Sequence, residues 1–159
     1  MTELRVGIGV DAHAFEEGPP LVLGGIALGH PRGLAGHSDG DVVAHALIDA
    51  LLGAANMGDI GSLFPSGEER WHGVSSLELL RTAYAAVREA GWELVNADAV
   101  LIGEEPRIGP HRESMSAALA QALGVEPSRI AVRATTTDRL GFTGRGEGLA
   151  AQAVALLQR

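Results

Sequence analysis

The stretch Asp11-Ala12-His13 sets a carboxylate and an imidazole two residues apart. In an extended chain alternate side chains leave the same face, so both point one way, just past Val6, Ile8 and Val10. His45 stands further on, in a run whose apolar residues recur at helical spacing. It shares a face with Asp41 and Asp49, which can hold its imidazole or act from a second layer behind it. Asp11, His13 and His45 would leave a fourth position for water or substrate, the pattern of a catalytic rather than a structural zinc. A plainer alternative stands beside it: Asp11 caps a turn, His13 lies on the surface and His45 is a hydrogen-bonded core histidine.

Three other stretches can carry chemistry. His37 and Ser38 lie just ahead of the helix containing His45, where free backbone N–H groups and the helix dipole favour a phosphate or carboxylate. The alternative is a loop with Asp39 as helix N-cap and Asp41 in the first turn. Gly36-His37-Ser38-Asp39-Gly40 also spells G-x-S-x-G, but a nucleophile elbow needs a strand immediately before it, and the preceding GHPRGLA is no strand. Ala134 to Gly148, ATTTDRLGFTGRGEG, joins a strand end to the next element through hydroxyls, Asp138, Arg145 and glycines that permit close backbone approach to a phosphorylated ligand. Its glycines read G-x-G-x-G, and too little chain follows for a dinucleotide fold. Gly103 to His111, with Pro106 and Arg107 at its tip, is by itself a turn. His72 and His111 sit in ordinary loop or helix-start settings.

Composition narrows the chemistry. The formal net charge is -8 and all 12 basic residues are arginine, so no basic stretch tracks a nucleic-acid backbone. Without lysine there is neither a P-loop nor a Schiff base; without cysteine there are no thiol nucleophiles, disulfides or thiolate zinc sites. No apolar run approaches the roughly 20 residues of a membrane span, and the expectation is a cytoplasmic protein.

The elements that must position these groups are legible as periodicities. Leu4 to Phe15 alternates as an opening strand, and PPLVLGGIALGH reads as a hairpin across Gly24-Gly25. A helix runs from Asp41 to about Asn56–Gly58, and VSSLELLRTAYAAVREAG is a second, stopping at Gly91. WELVNADAVLIGEE is a strand ending before Pro106, PHRESMSAALAQALG a third helix closed by Gly124, SRIAVRATTTD a strand, and GLAAQAVALLQ a final helix. The prediction is one α/β domain over residues 1–159.

Together, DAHAF, HSDGDVVAHALIDALLGAANMGDIG, LFP and ATTTDRLGFTGRGEGLA resemble, in order and spacing over nearly the whole chain, the 2-C-methyl-D-erythritol 2,4-cyclodiphosphate synthase family of the non-mevalonate isoprenoid pathway. The resemblance implies a homotrimer with active sites between neighbouring subunits, each subunit an α/β two-layer unit of four main strands backed by helices. It implies zinc on Asp11, His13 and His45, and magnesium or manganese on Asp138, where the family more usually has Glu. The implied substrate is 4-diphosphocytidyl-2-C-methyl-D-erythritol 2-phosphate, whose 2-phosphate attacks the β-phosphorus and expels CMP.

By the same resemblance His37 and Ser38 hold the attacking phosphate, with His37 and Thr136 stabilising the transition state. Asp59 and Gly61 contact the erythritol, and Phe64 lies in the substrate loop, where Ser66 replaces a frequent aspartate. Gly103, Pro106, Arg107, Gly109, Ala134, Thr135 and Thr136 form the cytidine and diphosphate pocket, Arg107 replacing a common lysine. Phe142, Arg145 and Glu147 line a central channel that in some relatives holds an isoprenoid diphosphate. Two rivals keep the scaffold and change the activity: a zinc phosphohydrolase, and a non-enzymatic trimer that binds isoprenoid diphosphates.

Overall fold

In the computed structural model, which describes residues 1–159, the opening alternation forms strand β1 (Leu4–Glu16). A hairpin of β2 (Leu21–Leu23) and β3 (Ile26–Leu28) follows, turning at Gly24 and Gly25 as expected. Then come β4 (Gly33–Leu34), helix α1 (Val42–Ala55), the single-turn α2 (Ile60–Leu63) and α3 (Ser76–Glu89). Strand β5 (Glu93–Ile102), α4 (Arg112–Leu123), β6 (Ile130–Thr135), the short α5 (Gly141–Gly144) and β7 (Gly148–Gln158) complete the chain. Helix α1 stops at Asn56 and α4 at Gly124, both in the left-handed conformation, with φ of 57° and 67°.

One sheet carries the order β4-β1-β7-β5-β6, five strands rather than the four main ones that the resemblance implies; the extra one is the two-residue β4 beside β1. The other correction is larger, because Gly148–Gln158 is a strand and not the final helix. Its Ala, Leu and Gln residues favour a helix in isolation. In the fold it is antiparallel to β1 on one side and to β5 on the other, so both backbone edges are paired and every second residue from Ala151 to Leu157 is buried. Helices α1 and α4 lie on one face of the sheet, with α3 packed against both.

Helix α1 meets β1 almost backbone to backbone. Gly7 and Gly9 face it, and a Cβ on Gly9 would overlap the Ala46 carbonyl oxygen, one on Gly7 that of Ala50. The helix answers with Ala46, Ala50 and Ala54, all buried. This contact carries the next inward residues of β1, Asp11 and His13, past the N-terminal end of α1 and towards His45.

Helix α1 is capped by Asp41, not by Asp39. The Asp41 carboxylate accepts from the N–H groups of Val43 and Ala44 at 3.1 Å each, and from Gly24 at 2.9 Å and Gly25 at 2.7 Å in the hairpin turn. Burial pushes its carboxyl up to about 6, against the backbone donors, which favour the ionised form. In Asp41→Ala these donors lose their acceptor in a dry site, at about 1–3 kcal/mol for each one left unpaired. A loss of at least about 3 kcal/mol is expected, read as a fall in Tm of roughly 6–12 °C by calorimetry. Asp41→Asn, which keeps an acceptor, loses less.

The far face of the sheet is apolar and uncovered within the chain. Val6, Ile8 and Val10 of β1 are 68%, 61% and 62% exposed, and Val154 of β7 is exposed beside them. No helix is long and apolar enough to cross a membrane.

Candidate functional site

Asp11 and His13 converge with His45, the arrangement that the resemblance implies and that spacing alone left open. His13 Nε2 stands 2.8 Å from Asp11 Oδ2, His45 Nδ1 3.0 Å from the same oxygen, and the two ring nitrogens are 3.3 Å apart. Donor atoms held about 2.0–2.1 Å from a tetrahedral metal stand roughly 3.3 Å apart, so the three fit one ion with little adjustment. The donor set, two imidazoles and a carboxylate, is one that zinc accepts. Burial raises the Asp11 carboxyl, but hydrogen bonds from His13 and His45 and their charge outweigh it and bring it down to about 2. The hydrogen bond to Asp11 raises the pKa of His13.

Neither Asp41 nor Asp49 holds the His45 ring. Asp41 is occupied as a cap, and Asp49 accepts from Ile60 N–H at 2.7 Å, anchoring α2. The ring instead reaches Ser76 Oγ at 2.8 Å and Ser38 Oγ at 3.0 Å, both through Nε2. Ser76 is a residue that sequence reasoning missed, because a serine at a helix start reads as part of a cap.

A pocket of about 220 Å³ opens over these ligands. His37, Ser38, Gly61, Phe64 and Ser66 line it, together with two residues not expected there, Trp71 and His72. Trp71 packs edge-on against Phe64, with ring centroids 4.8 Å apart, and its neighbour His72 faces His37 at 6.4 Å. A short 3-10 turn, Glu69–Trp71, brings both over the pocket, and periodicity gives no sign of such a turn. Asp59 is the N-cap of α2, accepting from Ser62, and its neighbours Ile60 and Gly61 form the wall. Ser38 lies in a bend separated from β4 by several residues, not in a strand-to-helix elbow.

The remaining expected residues gather at the ends of β5 and β6. Gly103 N–H donates to Thr135 C=O at 3.0 Å, tying the two loops, and Ala134 and Thr135 end β6. Thr136 and Asp138 pair with each other, Asp138 N–H donating to Thr136 Oγ1 at 3.3 Å, while Gly109 opens the 3-10 turn that leads into α4. Pro106, Arg107 and Arg145 line a second cavity of about 730 Å³ with Arg32 and Arg139. Arg145 is paired with Glu147 at 2.8 Å, and Phe142 is exposed. Arg32 stacks on Phe15 and donates to Gly146 C=O at 3.2 Å, bracing this loop from the end of β1. No residue of 103–109 or 134–138 lines the pocket over Asp11, His13 and His45.

These shifts predict how the metal-free protein responds to pH. Asp11, lowered from 3.8, contributes stability that is present above its unfolded value and lost as pH falls towards 2. His13, raised from 6.5, contributes stability that is present below 6.5 and lost as pH rises through its elevated value. Asp41, its carboxyl raised from 3.8 to about 6, contributes stability that is present below its unfolded value and lost as pH rises towards 6. The Tm of the chelator-treated protein is therefore expected to be highest at about pH 4, to fall towards about pH 6 as Asp41 ionises in the unfolded chain, and to fall again above about 6.5 through His13; a Tm rising steadily to pH 8 would contradict these assignments.

Fold and site define a two-layer α/β protein built around a centre able to hold one metal ion, with a second, arginine-lined cavity. The YgbB family model matches residues 4–158. A 2-C-methyl-D-erythritol 2,4-cyclodiphosphate synthase of Rubrobacter xylanophilus is 61% identical over 158 residues, covering 98% of this chain and 95% of the relative. One of Moorella thermoacetica is 54% identical, covering 97% and 94%. Among solved structures, a CDP-bound form of 2C-methyl-D-erythritol-2,4-cyclodiphosphate synthase superposes with a TM-score of 0.87 at 40% identity, covering 96% of this chain and 99% of that one. The bifunctional IspDF of Campylobacter jejuni superposes at 0.96 with 43% identity; this chain is covered to 99% and spans 43% of that protein. The chain belongs to the YgbB family.

Proposed function

We propose that the chain, with residues 1–159 as its single domain, is a zinc-dependent 2-C-methyl-D-erythritol 2,4-cyclodiphosphate synthase. It converts 4-diphosphocytidyl-2-C-methyl-D-erythritol 2-phosphate to the cyclic diphosphate and CMP. The observation that carries this reading is the convergence of Asp11, His13 and His45 beneath a pocket walled by His37, Ser38, Gly61 and Phe64, in a chain 61% identical to a synthase of that name.

In the reaction an oxygen of the 2-phosphate forms a bond to the β-phosphorus, and the bond from that phosphorus to the bridging oxygen breaks, releasing CMP with the electron pair. The nucleophile belongs to the substrate, so the chain must fold one molecule into an in-line geometry and neutralise charge. Zinc on Asp11, His13 and His45 would polarise a β-phosphate oxygen, and magnesium or manganese on Asp138 would neutralise the α- and β-phosphates. Ser38 and His37 hold the attacking phosphate, and His37 and Thr136 donate to oxygens that gain charge in the transition state. Gly61, with Asp59 at the head of α2, borders the polyol, and Phe64 excludes water. Gly103, Pro106, Arg107, Gly109 and the Ala134-Thr135-Thr136 backbone receive cytidine and its diphosphate.

No residue of the Thr136–Asp138 loop lines the metal pocket within one chain, which favours a site completed by a neighbouring subunit. The bare apolar face of β1 and β7 supplies a surface for that assembly, and we take it to be a homotrimer. Around its axis Phe142 offers an exposed ring beside the Arg145–Glu147 pair, chemistry suited to an isoprenoid diphosphate. The test against a phosphohydrolase is turnover in ¹⁸O water: a cyclic product free of solvent oxygen is expected, and a linear product carrying it would favour hydrolysis.

A further inference from the structure

We infer that Ser76 and Asp39 form a relay that decides which nitrogen of His45 faces the metal. The inference rests on the zinc reading of Asp11, His13 and His45 and deepens it by naming two positioning residues.

Asp39 sits in the loop before α1, and its carboxylate accepts from Ser76 twice, from the backbone N–H at 3.0 Å and from the hydroxyl. Both Ser76 donors are directed at the Asp39 carboxylate, which commits the Ser76 hydroxyl proton to Asp39. Ser76 Oγ also stands 2.8 Å from His45 Nε2, and with its proton engaged it can only accept there. Nε2 must therefore carry the proton of the neutral ring. A neutral imidazole has one N–H, so Nδ1 is left with a free lone pair. Nδ1 is the atom that lies 3.0 Å from Asp11 Oδ2 and 3.3 Å from His13 Nε2.

The setting of Ser76 favours this role. Its exposure is 0%, so water does not compete for its hydroxyl. The adjacent Ser75 is the N-cap of α3, accepting from Leu77 N–H at 3.3 Å, which frees Ser76 from capping. Ser38 Oγ approaches the same nitrogen at 3.0 Å, but it stands on the pocket wall, where it can turn to a ligand. The dry, charge-terminated partner is Ser76. One chain of hydrogen bonds thus ties the start of α3 and the loop before α1 to a metal ligand.

The test measures zinc affinity of the full-length protein by chelator competition, alongside Tm of the metal-free form and long-range ¹H–¹⁵N histidine spectra of the zinc-loaded form. Ser76→Ala is expected to bind zinc roughly 10- to 100-fold more weakly, and its His45 Nε2–H to exchange faster with solvent. Asp39→Asn has the same shape but offers an amide donor to Ser76, so it too should weaken zinc binding. Combined with Ser76→Ala it should add nothing, because Asp39 acts through Ser76. If Ser76→Ala does not fold, Asp39→Asn alone carries the test. A lowered Tm with unchanged zinc affinity would mean that the two residues only brace α3, and would overturn the relay while leaving the zinc centre intact. Failure of the wild-type protein itself to bind zinc would overturn the centre and the relay together.

Discussion

His45→Ala is expected to lose zinc binding and at least about a thousandfold of the proposed cyclising activity, while the fold persists. His45 is 8% exposed as part of the first turn of α1 and would supply one of the three protein ligands of the proposed centre. A site left with Asp11 and His13 cannot enclose a four-coordinate ion. Electrostatic stabilisation of a transferring phosphoryl group by a metal amounts to several kcal/mol, and each 1.36 kcal/mol is tenfold in rate, which gives the size of the loss. The side chain is not central to the packing of α1 on β1, which Gly7, Gly9 and the helix alanines carry. Sedimentation and circular dichroism should therefore match wild type while zinc titration does not. A zinc-free His45→Ala protein with full activity would contradict the role given to this centre.

A large effect on stability is also expected at a residue with no functional group. In Gly9→Ala the new methyl would overlap the Ala46 carbonyl and crowd the Ala50 backbone nitrogen, and both belong to a hydrogen-bonded helix that cannot yield locally. Either α1 shifts away from β1 or β1 bends. Overpacking a core costs about 1–3 kcal/mol where side chains can adjust; against backbone a loss of about 3 kcal/mol or more is expected, a fall in Tm of roughly 6–12 °C. Zinc affinity should fall with it, because the same contact sets the distance from Asp11 and His13 to His45. A Gly9→Ala protein with wild-type Tm and zinc affinity would mean that the helix and strand are not held in register by this approach.

What the sequence revealed divides along the line between local and non-local causes. Alternation along β1, the recurring apolar positions of α1, the Gly-Gly hairpin turn and the stops at Asn56 and Gly124 are written in neighbouring residues, and each forms as expected. The strand period set Asp11 and His13 on one face, but their meeting with His45, 34 and 32 residues away, came from the family resemblance and not from any local period. β7 was not legible, since its Ala- and Leu-rich sequence favours a helix until β1 and β5 pair with both its edges. Likewise Asp39 and Asp41 look interchangeable ahead of α1. Only the return of the hairpin, bringing the N–H groups of Gly24 and Gly25 to Asp41, assigns the cap to one. The other is then free for Ser76, whose contact with His45 spans 31 residues of sequence and leaves no periodic trace. Trp71 and His72 reach the pocket on a turn too short to have a period.

The most direct test of the central claim is phosphorus NMR of the protein with 4-diphosphocytidyl-2-C-methyl-D-erythritol 2-phosphate, zinc and magnesium, run with and without a chelator. CMP and two coupled cyclic-diphosphate resonances are expected, all absent when the metals are removed. Unchanged substrate in an intact, metal-loaded protein would contradict the claim.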